Sequence, residues 1–421
     1  MLIKADPYRI KTQLETLRTF DSRPDQPGTT RALFTDAEIK ARDYVKGLMR
    51  EVGLTVSEDS IGNIFGTLEG TEPELSPVWS GSHIDTVLNA GMYDGMAGVI
   101  GAIEACRMIK ESGAEHRRSI KAIVFTSEEP TRFGTGCIGS RAMAGHLSLE
   151  ETKELKDDDG ISLYDELVRL GYDLSAYDNV RKHTGDVFAS LEMHIEQAPV
   201  LEQLGLPIGI VEGICAPTYI HCCITGEQKH AGSTPMNARK DPVCAAAQVA
   251  IELERLARSY GRTNTVATIG KMNVFPNASN VIAGNVTFTI DIRDIDQEIK
   301  DTITKEICEY MDYLSGSRGI KAEYSVTTND LPRRSSPKMT DLLETTCKEL
   351  DIPYNKMVSG AYHDSLLVAE FAPMAMIFVP SKGGISHDPS EYTSIEDIAL
   401  GTDVLANSLL KLANMSKIRE N

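Results

Sequence analysis

VWSGSHIDTVLNAGMYDGMAGVIGAIEACRMI, residues 78–109, and IKAIVFTSEE, residues 120–129, decide the architecture of this chain. Val78 to Ser82 leads into His83, and Ile120 to Phe125 is an almost unbroken apolar run that stops at Thr126-Ser127-Glu128-Glu129. Such runs fit strands buried on both faces, and therefore a mainly parallel sheet with polar side chains presented at strand ends. Between them, Met96 to Ile109 is long, apolar and free of glycine after Gly101, which predicts a buried helix opening just past Asp94-Gly95. Strand, loop, helix and strand make a crossover unit, right-handed by the general rule.

Further along, the pattern changes. Tyr219 to Thr225 alternates like a half-buried strand, Asp241-Pro242 opens a helix reaching Arg258, and Thr265–Val274 and Val281–Arg293 read as two more strands. A helix over Gln297–Leu314 and a strand near Lys321–Val326 complete a β-α-β-β-α-β order, the ferredoxin-like arrangement that can fold as a small domain. Afterwards the α/β style resumes, with a helix at Lys338–Leu350, a strand at Met374–Val379 and a helix at Ile395–Leu412. The expected organisation is a discontinuous α/β domain, residues 1–213 with 330–421, interrupted by an inserted domain at 214–329. No internal repeat or heptad pattern is visible.

At 421 residues with 41% hydrophobic content, two cores are affordable, and two domains are the natural expectation. The net charge of −18 opposes binding to nucleic acid and to anionic membrane surfaces, leaving a small polar molecule as the expected partner. The opening residues carry no apolar export segment, and no stretch is long and apolar enough for a transmembrane helix. The eight cysteines lack C-x-x-C spacing, as free thiols in a reducing compartment do, so a cytoplasmic location is expected.

The polar residues at the predicted strand ends carry chemistry. His83 and Asp85, spaced H-x-D, point to the same side of an extended backbone, so Asp85 is placed to orient a ligating His83. Asp94 fits a helix N-cap and also a carboxylate that bridges two ions. Glu128 and Glu129 repel each other unless a cation or proton intervenes, and adjacent carboxylates can divide the work of ligand and general base. His194 alternates in LEMHIEQ with Glu196 on the same face, and His387 lies in GGISHDP, a glycine-rich loop without the Lys-Ser/Thr of a phosphate-binding loop. Three imidazoles with carboxylates and no cysteine suit two divalent ions drawn from Zn, Mn, Co or Ni.

Seven ordered stretches make these signals a pattern: GSHIDTVLNAGMYDGMAGV, FTSEEPTRFGTGCIGSRAMAG, LEMHIEQAPVLE, KHAGSTPMNARKDP, NVIAGNVTFTIDIRD, SGAYHDS and GGISHDPSEYTS. Over roughly residues 60–400 the chain resembles the N-carbamoyl-L-amino-acid hydrolase and allantoate amidohydrolase family, a branch of the dinuclear-metal aminoacylase and carboxypeptidase superfamily. The resemblance implies His83, Asp94, Glu129, His194 and His387 as metal ligands with Asp94 bridging, Glu128 as general base and Asp85 as the orienter of His83. It also makes the inserted domain a lid and homodimer interface, with His230 reaching the partner subunit's active site. Asn280 and Arg293 would bind the substrate carboxylate, and Gln197 would line the pocket. The implied reaction is hydrolysis of a linear C–N bond in a ureido or carbamoyl substrate, allantoate or an N-carbamoyl-L-amino acid, releasing ammonia and CO2.

Four positions depart from the usual motifs: Ala198, Ala283, Tyr362 and Ser365. Tyr362 matters most, because a phenol in place of glycine beside His363-Asp364 reshapes the surroundings of that pair. EEPTRFG looks most like allantoate-type members. Two other readings stay open at this level: an N-acyl-amino-acid hydrolase or dipeptidase of the same superfamily, and a non-catalytic binding protein on the same scaffold.

Overall fold

A computed structural model of the protein describes residues 2–260 and 264–418. The chain divides into two compact units, one of Met1–Glu212, Ser335–Met357 and His363–Asn421, the other of Gly213–Arg334 and Val358–Tyr362.

The larger unit is built on a mixed sheet. Its strand order is Thr55–Glu58, Ile64–Leu68, Ile120–Phe125, Val78–His83, Ala189–Ile195, Met374–Val379 and Ile208–Ile214. The four strands from Ile120–Phe125 to Met374–Val379 run parallel, and antiparallel neighbours close both sides. The central strands are buried on both faces. Val78, Ile120, Ala122 and Val124 enter one apolar cluster, while Trp79, Ile123 and Phe125 enter the other. Each fully buried aliphatic or aromatic side chain contributes about 1.5–3 kcal/mol, so alternation between two cores fixes both layers at once.

The predicted helix runs over Met96–Ser112 and is buried along most of its length. It packs against the Ile395–Asn414 helix and against the sheet. At Gly98 an added Cβ would lie 2.3 Å from the carbonyl oxygen of Met193, so only glycine permits this approach of helix to strand. Arg31, fully buried, anchors the segment beyond His83. It donates from Nε to Ile84 O at 2.6 Å and from Nη1 to Leu17 O and Phe20 O at 2.7 and 2.9 Å. Its backbone exchanges hydrogen bonds with Thr86, N to Oγ1 at 2.9 Å and O from Thr86 N at 3.0 Å. Burial lowers its pKa to about 10, which leaves it a cation.

The smaller unit holds an antiparallel sheet in the order Lys321–Asn329, Ala216–Thr225, Asn285–Asp294 and Val266–Phe275. Val286, Phe288, Ile290 and Ile292 alternate inward and pack under the helices Pro242–Ser259 and Gln297–Arg318. Asp241 and Asp296 cap those helices, accepting from Val243 N and Cys244 N and from Glu298 N. One expectation changes here: 281–293 is not a single strand. Val281–Ile282 pairs with Lys229–His230 in a separate two-stranded ladder, and the chain changes sheets at Ala283-Gly284 before Asn285–Asp294 begins. Among the described residues, no helix is long and apolar enough to cross a membrane.

Replacing Arg31 by Met fills the space and leaves three buried carbonyls without their donor. At about 1–3 kcal/mol for each stranded acceptor, a stability loss of about 3 kcal/mol or more is expected in urea denaturation. A loss under about 1 kcal/mol would contradict this account of Arg31.

Candidate metal centre

In the larger unit the strand ends converge. His83 closes the Val78–His83 strand, Asp94 precedes the Met96–Ser112 helix, Glu128 and Glu129 follow Ile120–Phe125, and His194 lies near the end of Ala189–Ile195. His387 arrives on the loop after Met374–Val379, with φ of +58°. His83, Asp94, Glu129 and His194 are buried, whereas the His387 side chain is 48% exposed.

Asp94 stands between two groups of donors. Its Oδ1 lies 3.4 Å from His83 Nε2 and 3.3 Å from His194 Nε2, and its Oδ2 lies 3.4 Å from His387 Nε2. His387 Nε2 is also 3.3 Å from Glu129 Oε1. Among the described residues three sets have ligand atoms close enough to hold an ion: His83–Asp94–His194, Asp94–Glu129–His387 and Glu192–His194–His363; Asp94 is common to the first two.

The imidazoles are oriented for this task. His83 Nδ1 lies 3.1 Å from Asp85 O, and His194 Nδ1 lies 3.0 Å from Ile195 O. A carbonyl can only accept, so each Nδ1 carries a proton and each Nε2 faces Asp94; His194 Nε2 also lies 3.1 Å from Gly95 N. The Asp85 carboxylate sits 3.6 Å from His83 Nδ1 and has further partners. It accepts the backbone N–H of Glu128 and Glu129 at 3.2 and 3.0 Å, tying the acidic turn to the end of the His83 strand.

Glu128 Oε2 faces His83 Nε2 at 3.9 Å, and its Oε1 receives the Cys137 thiol at 3.8 Å. Gln197, with φ of +58°, donates from Nε2 to Asp94 Oδ2 at 2.7 Å, while its Oε1 is buried without a partner among the described residues. Gly95, with φ of +68°, leaves room for the imidazole: a Cβ there would come within 2.5 Å of the His83 ring.

The electrostatics describe a concentration of negative charge. Burial pushes Glu128 well above the usual carboxylate range, with His83 pulling it down and Glu129, Asp364 and Asp94 adding repulsion. Burial and then Asp94 push Glu129 up to about 7. Burial also works against an ionised Asp94, yet His194, with hydrogen bonds from His194, His387 and His83, holds it well below its ordinary range. The hydrogen bond to Asp94 carries His387 up to about 9, against burial. Imidazole lone pairs, crowded carboxylates and a stranded amide oxygen together fit divalent cations.

Several supporting residues gave no strong signal in the sequence. Glu391 accepts Tyr93 N and Asp94 N through Oε1 at 2.9 and 3.1 Å, and Ser386 Oγ through Oε2 at 2.9 Å. Ser386 Oγ also reaches Asp94 Oδ2 at 2.7 Å. Glu192 accepts from Ser82 and Ser365 at 2.8 and 2.6 Å, and His363 packs edge-on against His194 at 4.6 Å between ring centroids. Their only cue was membership of the quoted motifs, since an isolated Glu or Ser has no spacing that points to a metal. Glu196 turns aside to accept Val200 N and Leu201 N.

His230, Asn280 and Arg293 belong to the smaller unit. His230 is exposed, and its Nδ1 accepts Gly232 N and Ser233 N at 3.0 and 3.2 Å, so its Nε2 carries the proton. Asn280 lies beside it, its carbonyl accepting Ala231 N at 2.9 Å. Arg293 stands on the longer sheet, beside Asp291.

A profile of Peptidase family M20/M25/M40 matches residues 79–411. The "Ureidoglycolate hydrolase" of Oryza sativa subsp. japonica is 41% identical, covering 97% of this chain and 85% of that protein. The "N-carbamoyl-L-amino-acid amidohydrolase" of Pseudomonas sp. (strain NS671) is 38% identical, covering 96% and 97%. Among solved structures, an amidase of the hydantoinase/carbamoylase family from Burkholderia multivorans is 31% identical, with a TM-score of 0.91 and coverage of 98% and 99%. With the family profile spanning most of its length, the chain belongs to peptidase family M20/M25/M40, a family of metal-dependent hydrolases.

Proposed function

We propose that the protein is a two-metal amidohydrolase that cleaves a linear C–N bond in a small ureido or carbamoyl substrate bearing a carboxylate. Two ions per subunit, drawn from Zn, Mn, Co or Ni, would be held by His83 and His194 at one position and His387 and Glu129 at the other, with Asp94 available to both. The observation that carries this reading is the division of Asp94, one oxygen toward His83 and His194 and the other toward His387. Relatives named for ureidoglycolate and for N-carbamoyl-L-amino acids support the substrate class.

When bound, such ions acidify water and polarise the scissile carbonyl. Glu128, through the Oε2 turned toward His83, takes the proton of the attacking water and returns it to the departing nitrogen, a role typically worth ~10²–10⁴-fold in rate. Asp85 steadies the Glu128-Glu129 turn and the carbonyl end that orients His83. His230, its proton fixed on Nε2, donates to the oxyanion that develops on the substrate carbonyl. Arg293 and Asn280 hold the substrate carboxylate, and Gln197 offers its unpaired Oε1 to an N–H of the substrate. Overall, water is added across the C–N bond, freeing the amine R–NH2 and carbamic acid, and the carbamic acid breaks down to ammonia and CO2.

The smaller unit acts as lid and homodimer interface in this reading, its exposed edge strand Lys321–Asn329 offering unpaired backbone groups. All eight cysteines are free, which suits a cytoplasmic location.

Ammonia release from allantoate, ureidoglycolate and N-carbamoyl amino acids, after loading with Mn²⁺ or Zn²⁺, tests the reaction. Free amino acid appearing from N-acyl substrates without ammonia from any ureido compound would instead identify an aminoacylase. Glu128→Gln should keep its metal content and lose at least ~10²-fold in kcat; near-normal turnover removes Glu128 as the base. Gly95→Ala drives a methyl into the His83 ring, so divalent-ion uptake in titration calorimetry should weaken at one of the two sites. In the ion-free protein Glu129 titrates at about 7 and His387 at about 9, and both must lose protons to ligate. Ion affinity should therefore rise steadily with pH through that window, with proton release; an affinity that is flat or falls contradicts the ligand set.

A further inference from the structure

The hydrogen-bond inventory of Arg293 leaves a specific pair of donors unused. Its Nε lies 3.2 Å from both Asp291 oxygens, and its Nη2 donates to Asp291 Oδ2 at 3.0 Å and to the Tyr219 hydroxyl at 3.2 Å. Nη1 donates to Gly360 O at 3.2 Å. A guanidinium has five N–H groups, so one N–H on Nη1 has no acceptor among the described residues. The Tyr219 oxygen accepts from Arg293, and its own O–H proton finds no acceptor among the described residues. Burial, with Asp291 acting against the pull of Arg293, raises the phenol above its ordinary range and keeps that proton in place.

The backbone makes this arrangement firm. Tyr219 and Asp291 are direct cross-strand partners on Ala216–Thr225 and Asn285–Asp294, and Arg293 follows Asp291 by two residues on the same face. Asp291 holds the Nε edge, leaving one Nη1–H and the phenol O–H without an acceptor among the described residues. The Arg293 side chain keeps 26% of its surface exposed.

We propose that Tyr219 is a direct contact for the substrate carboxylate: one carboxylate oxygen accepts the free Nη1–H of Arg293, and the other accepts the Tyr219 hydroxyl. This rests on the reading of Arg293 as the carboxylate site. Asp291 is a positioning residue that presents this pair of donors. A carboxylate gains a hydrogen bond from a phenol already polarised by a cation, whereas a neutral carboxamide gains much less. Tyr219 therefore sets the preference for a free acid over its amide.

The test uses the metal-loaded protein and compares competitive inhibition by N-carbamoylglycine and N-carbamoylglycinamide. The unmodified protein should favour the acid. Tyr219→Phe should reduce that preference about tenfold, with the amide constant unchanged, as loss of one hydrogen bond to a charged group requires. Replacing Tyr219 by 3-fluorotyrosine, a stronger donor and weaker acceptor, should increase the preference. A preference unaltered in Tyr219→Phe, or lowered by fluorotyrosine as a purely Arg293-holding role demands, overturns the proposal. Equal binding of acid and amide to the unmodified protein, or a preference that survives in Arg293→Gln, overturns the Arg293 reading beneath it.

Discussion

The larger unit is organised around the repulsion among carboxylates gathered in a nearly dry space at the ends of parallel strands. Asp94, Glu128 and Glu129 stand close together with Asp85, and burial makes each negative charge costly. Three imidazoles offset part of that cost. Asp94, with an imidazole contact on each oxygen, stays ionised, while Glu128 and Glu129 rise toward protonation. A centre with this imbalance is complementary to cations, and its ordinary structural features serve to keep it from relaxing.

Those features come from different levels of the sequence. Buried strands on a parallel sheet deliver side chains to one edge. Arg31 binds the chain just past His83, and Gly95 permits the turn that carries Asp94 past the imidazole. Carbonyl groups, not side chains, take the Nδ1 protons of His83 and His194, so the direction in which each Nε2 faces depends on backbone placement. Glu391 and Ser386 then hold Asp94 from the far end of the chain.

Much of this was legible from sequence, for physical reasons. The apolar runs at 120–125 and 374–379 and the glycine-poor helix after Gly101 announce buried parallel strands and their crossover. The inserted β-α-β-β-α-β order is equally plain because its strands alternate and its helices begin at Asp-Pro and Asp-Gln. The break at Ala283-Gly284 was hidden, since a change of partner strand leaves hydrophobic alternation intact on both sides. In the centre, the histidines and acids stood out by type and position. Glu391, Glu192 and Ser386 did not, because their contacts span up to 298 residues and nothing local records a contact of that separation. The hold of Asp291 on Arg293 was similarly invisible: D-x-R on a strand shows that two side chains share a face, not how the guanidinium divides its donors.

The hydrogen bonds from Tyr93 N and Asp94 N to Glu391 also bear on biosynthesis. The centre takes residues from positions 83 to 391, so the growing chain has no complete site until residue 391 has left the ribosome. Contacts of such separation close long loops, at an entropy cost that local contacts do not carry. Divalent ions held there would favour the folded chain by mass action and join the first and last thirds of the larger unit.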